Sequence, residues 1–217
     1  MKKDKINRNR SRLVTTGRHR LLMLCASLAG VLLLSCTASP GKKSAASEEP
    51  SGAVAAEGET PGDDDRHFLV KTGDPAPDFT MELPDGSAVT LSSLRGKVVM
   101  LQFTASWCGV CRREMPHIES RIRQRHKNNP EFALYGIDRE EPAEKIRQFV
   151  KATGVTYPVG MDLDAGIFGL YAEKDAGITR NVIIDRDGKI VMLTRLFEED
   201  EFERMVKTID SLLLVNK

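Results

Sequence analysis

One stretch restricts what this chain can fold into more than any other. The apolar, β-branched run Lys97-Val98-Val99-Met100-Leu101-Gln102-Phe103 leads directly into Thr104-Ala105-Ser106-Trp107-Cys108-Gly109-Val110-Cys111. The run reads as a buried strand. From Arg112 to about Lys127 the chain is charged, with apolar returns at Met115, Ile118 and Ile122, which predicts an amphipathic helix. The two cysteines therefore fall where a strand hands over to a helix. Unpaired backbone N–H groups and the positive end of the helix dipole favour a thiolate there. Cysteines three apart can also close a small disulfide ring.

Two blander readings compete. A structural zinc site needs two further ligands at suitable spacing, and only His117 and His126 follow nearby, with no second cysteine pair. Two inert buried cysteines are the other. Strand, Trp, Cys-x-x-Cys, helix and the following Pro116 together favour a redox dithiol.

Further motifs surround this centre: Gly73-Asp74-Pro75-Ala76-Pro77-Asp78-Phe79, Leu94-Arg95-Gly96-Lys97-Val98-Val99, Glu114-Met115-Pro116 and Ile183-Ile184-Asp185-Arg186-Asp187-Gly188-Lys189-Ile190. With them, residues 73–213 resemble the TlpA/ResA family of extracytoplasmic thiol-disulfide oxidoreductases. The resemblance implies a thioredoxin-like α/β fold, a central mixed sheet flanked by helices, with an N-terminal β-hairpin extension and a TlpA-type insertion.

The order of elements agrees with that expectation. Strands are predicted at 79–83 and 88–91, joined by the turn Pro84-Asp85-Gly86-Ser87, then at 131–138, 157–161, 181–185 and 189–195. Helices are predicted at 142–153, with Pro142 in the first turn and Gly154 closing it, at 166–172, and at 198–214. Strands alternating with helices mean an α/β sandwich.

The N-terminal part reads differently. Eight Lys or Arg in the first twenty residues precede a 14-residue uncharged, mostly apolar run at 21–34. That layout predicts a secretory signal and is short for an ordinary membrane span. Leu33-Leu34-Ser35-Cys36 resembles a lipobox, which implies cleavage before Cys36 and its acylation; an uncleaved N-terminal anchor is the alternative. The predicted organisation is 1–36 signal, 37–66 flexible linker, 67–217 thioredoxin-like domain. Residues 37–66 contain no aromatic and too few apolar groups to bury a core. The expected location is the cell envelope, facing the periplasm and tethered by lipid to a membrane. The net charge of +1 hides a balance of 24 Lys+Arg against 30 Asp+Glu after residue 20, which gives no footprint for nucleic acid. Of the four cysteines, only Cys108 and Cys111 fall within the predicted domain.

The resemblance and the placement of the thiols assign roles. Cys108, nearest the helix start, is the expected attacking thiol, and Cys111 resolves the mixed disulfide. Thioredoxin carries a buried carboxylate six residues before the first cysteine, but Gln102 stands there in this chain. Glu114, three residues after Cys111, matches the family's active-site glutamate and suits proton transfer to or from Cys111; a solvated Glu114 paired to a nearby Arg is the alternative. Trp107 is expected to shield the disulfide and border the substrate groove. Ile178 and Thr179 fall on the groove-lining loop. Related sequences read Gly-Ile-Pro-Arg-Asn where this one reads Gly177-Ile178-Thr179-Arg180-Asn181, so Thr179 stands at the cis-proline position. A cis bond before a non-proline residue costs about 3–4 kcal/mol, against about 0.5–1 before proline. Thr179 adds a hydroxyl beside the sulfurs.

Neither metal nor cofactor is expected. The partners that the resemblance implies are exported proteins with disulfides or thiols, apocytochrome c included, and a membrane thiol electron donor. The expected function is thiol-disulfide exchange, in the reducing direction. A peroxiredoxin-like peroxidase is the first rival, although the Pro-x-x-x-Thr-x-x-Cys loop of those enzymes is missing around Cys108. The second is a non-catalytic metal-binding thioredoxin-like module, disfavoured because the required Cys-x-x-x-Cys spacing is absent.

Overall fold

The computed structural model describes residues 67–215. The signal, Cys36 and the linker lie outside the described residues.

Seven strands form one mixed sheet in the order β2-β1-β5-β4-β3-β6-β7. Its centre is β3 (Val98–Thr104), every residue of which is buried. β3 pairs in parallel with β4 (Phe132–Arg139) and antiparallel with β6 (Arg180–Ile184). β7 (Ile190–Arg195) completes one edge against β6. On the other side β5 (Val159–Asp162) runs parallel to β4. The hairpin of β1 (Thr80–Glu82) and β2 (Ala88–Thr90) extends the sheet, because Glu82 of β1 pairs with Met161 of β5. A Cβ on Gly160 would overlap the Met81 side chain, so glycine lets the hairpin close onto the sheet.

Side chains alternate along β3 and divide the core in two. Val99, Leu101 and Phe103 join a cluster that holds Phe168, Tyr171 and both cysteines. Met100 faces the other cluster, with Met115, Ile118, Phe149, Phe202 and Met205 of the covering helices.

The helix after the cysteines begins earlier than the charge pattern suggested. α1 spans Gly109–Ile118 and includes Cys111, with Cys108 as its N-cap. Gly109 and Val110 belong to the first turn, where backbone N–H groups need no helical acceptor, so their poor helix propensity costs little there. Pro116 lies inside α1 and cannot donate to the carbonyl four residues back. A wide π turn over Glu119–Arg123 follows before the last short turn, α2 (Gln124–His126). Pro142 is the N-cap of α3 (Ala143–Thr153) rather than a first-turn residue, and Gly154 closes that helix at φ 72°. α4 is only Phe168–Tyr171, shorter than the apolar run implied. The Asp162 carboxylate accepts from Ile167 N–H (3.0 Å) and Phe168 N–H (2.8 Å) at its start. α5 (Glu199–Leu214) closes the chain.

Candidate active site

Cys108 and Cys111 form a disulfide, with Cα atoms 5.3 Å apart. Strand β3 delivers the chain to this point, and three loop residues turn it into α1. Cys108 Sγ accepts a hydrogen bond from Cys111 N–H at 3.1 Å, the N-cap interaction. A thiolate at Cys108 keeps this bond and gains from the helix N-terminus. The two sulfurs differ in access: Cys108 retains 7% of its surface and Cys111 none.

The loop ahead of them is clamped. The Glu141 carboxylate accepts from Ser106 N–H (2.5 Å) and Ser106 Oγ (2.6 Å), while Arg112 Nε donates to the Ser106 carbonyl (2.7 Å). Trp107 projects outward, 59% exposed, with the Arg139 guanidinium 5.6 Å from its ring. Arg139 also donates to the carbonyls of Lys174 (3.2 Å) and Ala176 (3.4 Å), tying the tryptophan loop to the segment that leads to Ile178.

Thr179 lies directly against the disulfide. Its hydroxyl is 3.1 Å from Cys108 Sγ and 3.3 Å from Cys111 Sγ. Leu196 N–H donates to the Thr179 carbonyl (3.1 Å) and holds the residue in place. A proline at this position offers no such hydroxyl. Ile178 is buried beside it.

Glu114 is wholly enclosed, at 1% exposure. The alternative of a solvated residue paired to an arginine does not hold. Its carboxylate instead accepts from Gln102 Nε2 (3.0 Å) and Asn181 Nδ2 (2.6 Å). These donors come from a polar row across the sheet, because Gln102 is the register partner of Asn181 and Asn181 that of Thr194. Asn181 Nδ2 also reaches Thr194 Oγ1 (2.9 Å), and Tyr157 O–H donates to Gln102 Oε1 (2.6 Å). Burial raises the Glu114 pKa from 4.5 to about 7; the two amide hydrogen bonds oppose the shift, and the charge of Glu201 adds to it. A carboxyl poised near 7 can accept a proton and return it at neutral pH.

A second buried carboxylate, Asp138, lies near the end of β4 opposite Thr104. Burial is the main reason its pKa rises to about 8, with the Glu141 charge next. Neither Asp138 oxygen meets a donor. Its protonated form can donate to Glu141, which favours keeping the proton.

Residues 71–213 match the family described as Redoxin. The chain belongs to the Redoxin family. Among the relatives of this Redoxin protein, Thiol-disulfide oxidoreductase ResA of Bacillus cereus (strain ZK / E33L) is 30% identical over 122 residues, 56% of this chain and 68% of that protein. ResA of Bacillus subtilis (strain 168) is 29% identical over 122 residues, 56% of this chain and 66% of that one. Among solved structures, a candidate protein disulfide isomerase from Bacteroides thetaiotaomicron is 64% identical with a TM-score of 0.66, covering 68% of this chain and 92% of that one. A candidate thiol:disulfide interchange protein DsbE from Chlorobium tepidum is 26% identical with a TM-score of 0.57, covering 66% and 99%. This Redoxin protein is a thiol-disulfide oxidoreductase with a thioredoxin-like fold.

The structure brings Trp107, Cys108, Cys111, Ile178 and Thr179 into one place, with Glu114 one helical turn beyond Cys111. Sequence reasoning did not find Asn181, Thr194 and Tyr157 as the framework of Glu114, nor Asp138, Glu141 and Arg139. Asp138 carried one signal, a carboxylate ending the apolar run Leu134-Tyr135-Gly136-Ile137. The others depend on cross-strand register.

The raised carboxyls give this Redoxin protein a defined pH dependence of stability. Between 4.5 and about 7 the folded protein holds a proton on Glu114 that the unfolded chain releases. Stability from this group is therefore fully present below 4.5 and is lost as pH rises through about 7, a loss on the order of 3 kcal/mol. Asp138 extends the decline to about pH 8. Denaturant unfolding of the oxidised protein should show lower stability at pH 8.5 than at pH 5. Asp138→Asn and Glu114→Gln should each flatten the difference. A profile equally steep in wild type and both variants contradicts the assignment.

Proposed function

We propose that this oxidoreductase reduces disulfides in exported proteins while tethered by lipid to the outer side of a membrane. The observation that carries the exchange chemistry is the asymmetry of the pair. One sulfur caps a helix and keeps 7% of its surface exposed, and the other is fully enclosed one turn from a buried glutamate with a pKa near 7.

In this reading Cys108 thiolate attacks a client disulfide, forming a mixed disulfide and releasing one client thiolate. Glu114 then takes the proton of Cys111. The Cys111 thiolate attacks Cys108 Sγ, closing the Cys108–Cys111 bond and expelling the second client thiolate. Two electrons pass from the dithiol to the client, and the two released thiolates take up protons from solvent. Thr179 Oγ1 donates to whichever sulfur carries charge, and Trp107 borders the client. A membrane thiol donor restores the dithiol. The reducing direction and exported clients, apocytochrome c among them, rest on the resemblance to the TlpA/ResA family. Extracytoplasmic location rests on the basic n-region, the apolar run and Leu33-Leu34-Ser35-Cys36.

Reduced Cys111→Ser protein should capture oxidised exported proteins as mixed disulfides, and Cys108→Ser should capture almost none. Adding Thr179→Val to Cys111→Ser should slow capture several-fold at neutral pH, because the Cys108 thiolate loses a donor. Equal capture by both cysteine variants overturns the division of roles. Failure to capture oxidised clients overturns the reducing direction.

For the tether, mass spectrometry of the mature N-terminus should find acylated Cys36. An unmodified protein starting elsewhere contradicts the anchor.

A further inference from the structure

Glu114 needs a path to solvent, because each exchange places a proton on it or removes one. This requirement rests on the reading of Glu114 as the proton acceptor for Cys111. At 1% exposure Glu114 does not meet water itself. The groups that touch it are poor carriers. Gln102 and Asn181 are amides, and beyond Asn181 stands the Thr194 hydroxyl. Tyr157, bonded to Gln102, is pushed by burial well above the ordinary tyrosine pKa. None of these takes up or releases a proton near neutral pH.

A narrow crevice borders Glu114, walled by Thr194, Leu196, Phe197, Phe202 and Met205 and reached by Glu201 from the first turn of α5. It has no room for a water molecule. A second hollow of about 440 Å³, open to solvent, lies over Arg195, Asp200 and Arg204. Glu201 lines both. Glu198 also lines both, but it is exposed at the N-cap of α5 and belongs to the outlet. Glu201 is 8% exposed, and its charge acts on Glu114. Its Oε2 accepts from Arg195 N–H at 3.4 Å. His117, three residues after Glu114, packs on Phe197 (4.8 Å between rings) and does not line the crevice.

We infer that Glu201 carries the proton between Glu114 and solvent. After Cys111 has given its proton to Glu114, the carboxylic acid of Glu114 passes it to the Glu201 carboxylate. Glu114 returns to its anion, and Glu201 releases the proton into the outer hollow. Recharging of the dithiol reverses the steps. The crevice excludes water, so the relay is a carboxyl that turns between the two hollows. Glu201 thereby acts through Glu114 and touches neither sulfur nor client.

The test uses the full-length protein with two readouts: the ¹³C titration of the Glu114 carboxyl, and the pH profile of multiple-turnover reduction of a disulfide-bonded peptide, with a small dithiol recharging the protein and its direct reaction with the peptide subtracted. Glu201→Gln should lower the Glu114 midpoint and slow the turnover several-fold near neutral pH. Glu201→Asp, which keeps the acid, should restore most of the rate and also controls for a folding defect. Asp200→Asn, on the outer hollow alone, and His117→Gln should leave both readouts near wild type. A lowered midpoint with an unchanged rate makes Glu201 only an electrostatic neighbour and overturns the relay. So does a rate lost in His117→Gln and kept in Glu201→Gln. If Glu114→Gln itself exchanges like wild type, the assignment of Glu114 has failed. If Glu114→Gln is slow and Glu201→Gln is not, only the relay has failed.

Discussion

The burial of Glu114 over the polar row Gln102–Asn181–Thr194 is the interaction on which the site depends. A carboxylate without donors costs several kcal/mol in a protein interior. Two amide donors at 3.0 and 2.6 Å offset part of that cost and leave the pKa raised rather than normal. Burial without donors would hold the group protonated, and solvation would hold it ionised; both would remove it from proton transfer at neutral pH. The row exists because β3, β6 and β7 lie in a register that aligns Gln102, Asn181 and Thr194. A slip of one residue would turn these side chains to the opposite face.

The same sheet positions the sulfurs. β3 is fully buried, so its end is fixed, and the Glu141 clamp on Ser106 carries that order into the loop before Cys108. β6 brings Thr179 from 71 residues along the chain to 3.1 Å from Cys108 Sγ. A hydroxyl there donates to a thiolate but leaves both sulfurs neutral options for exchange, since it forms no ion pair. In the proposed mechanism, exchange at Cys108 and proton handling at Cys111 are thus held by the two halves of one sheet.

Much of this was legible in the chain. The strand, Cys108, Cys111 and the helix are neighbours in sequence, so periodicity and spacing located them. The helix start was misplaced at Arg112 because charge marked it, whereas the cap is Cys108 and the first turn is Gly109-Val110. Family resemblance located Glu114 and Thr179, but the full burial of Glu114 was not legible. It follows from pairings between Gln102 and Asn181, 79 positions apart, and from Tyr157 reaching across from the loop before β5. Glu201 gave no local signal either. It sits among Glu198, Glu199, Asp200 and Glu203, an acidic run typical of a helix N-terminus, and only the packing of α5 separates it from those less buried neighbours.

In the proposed mechanism Glu114 controls the proton of Cys111. The most direct measurement is the rate at which a mixed disulfide preformed on Cys108 collapses to the Cys108–Cys111 bond, followed across pH in wild type and Glu114→Gln. With Glu114 as proton acceptor, the wild-type rate should rise through an inflection near pH 7, and Glu114→Gln should lose this inflection and fall at least several-fold behind at neutral pH. Superimposable profiles for the two proteins would contradict it.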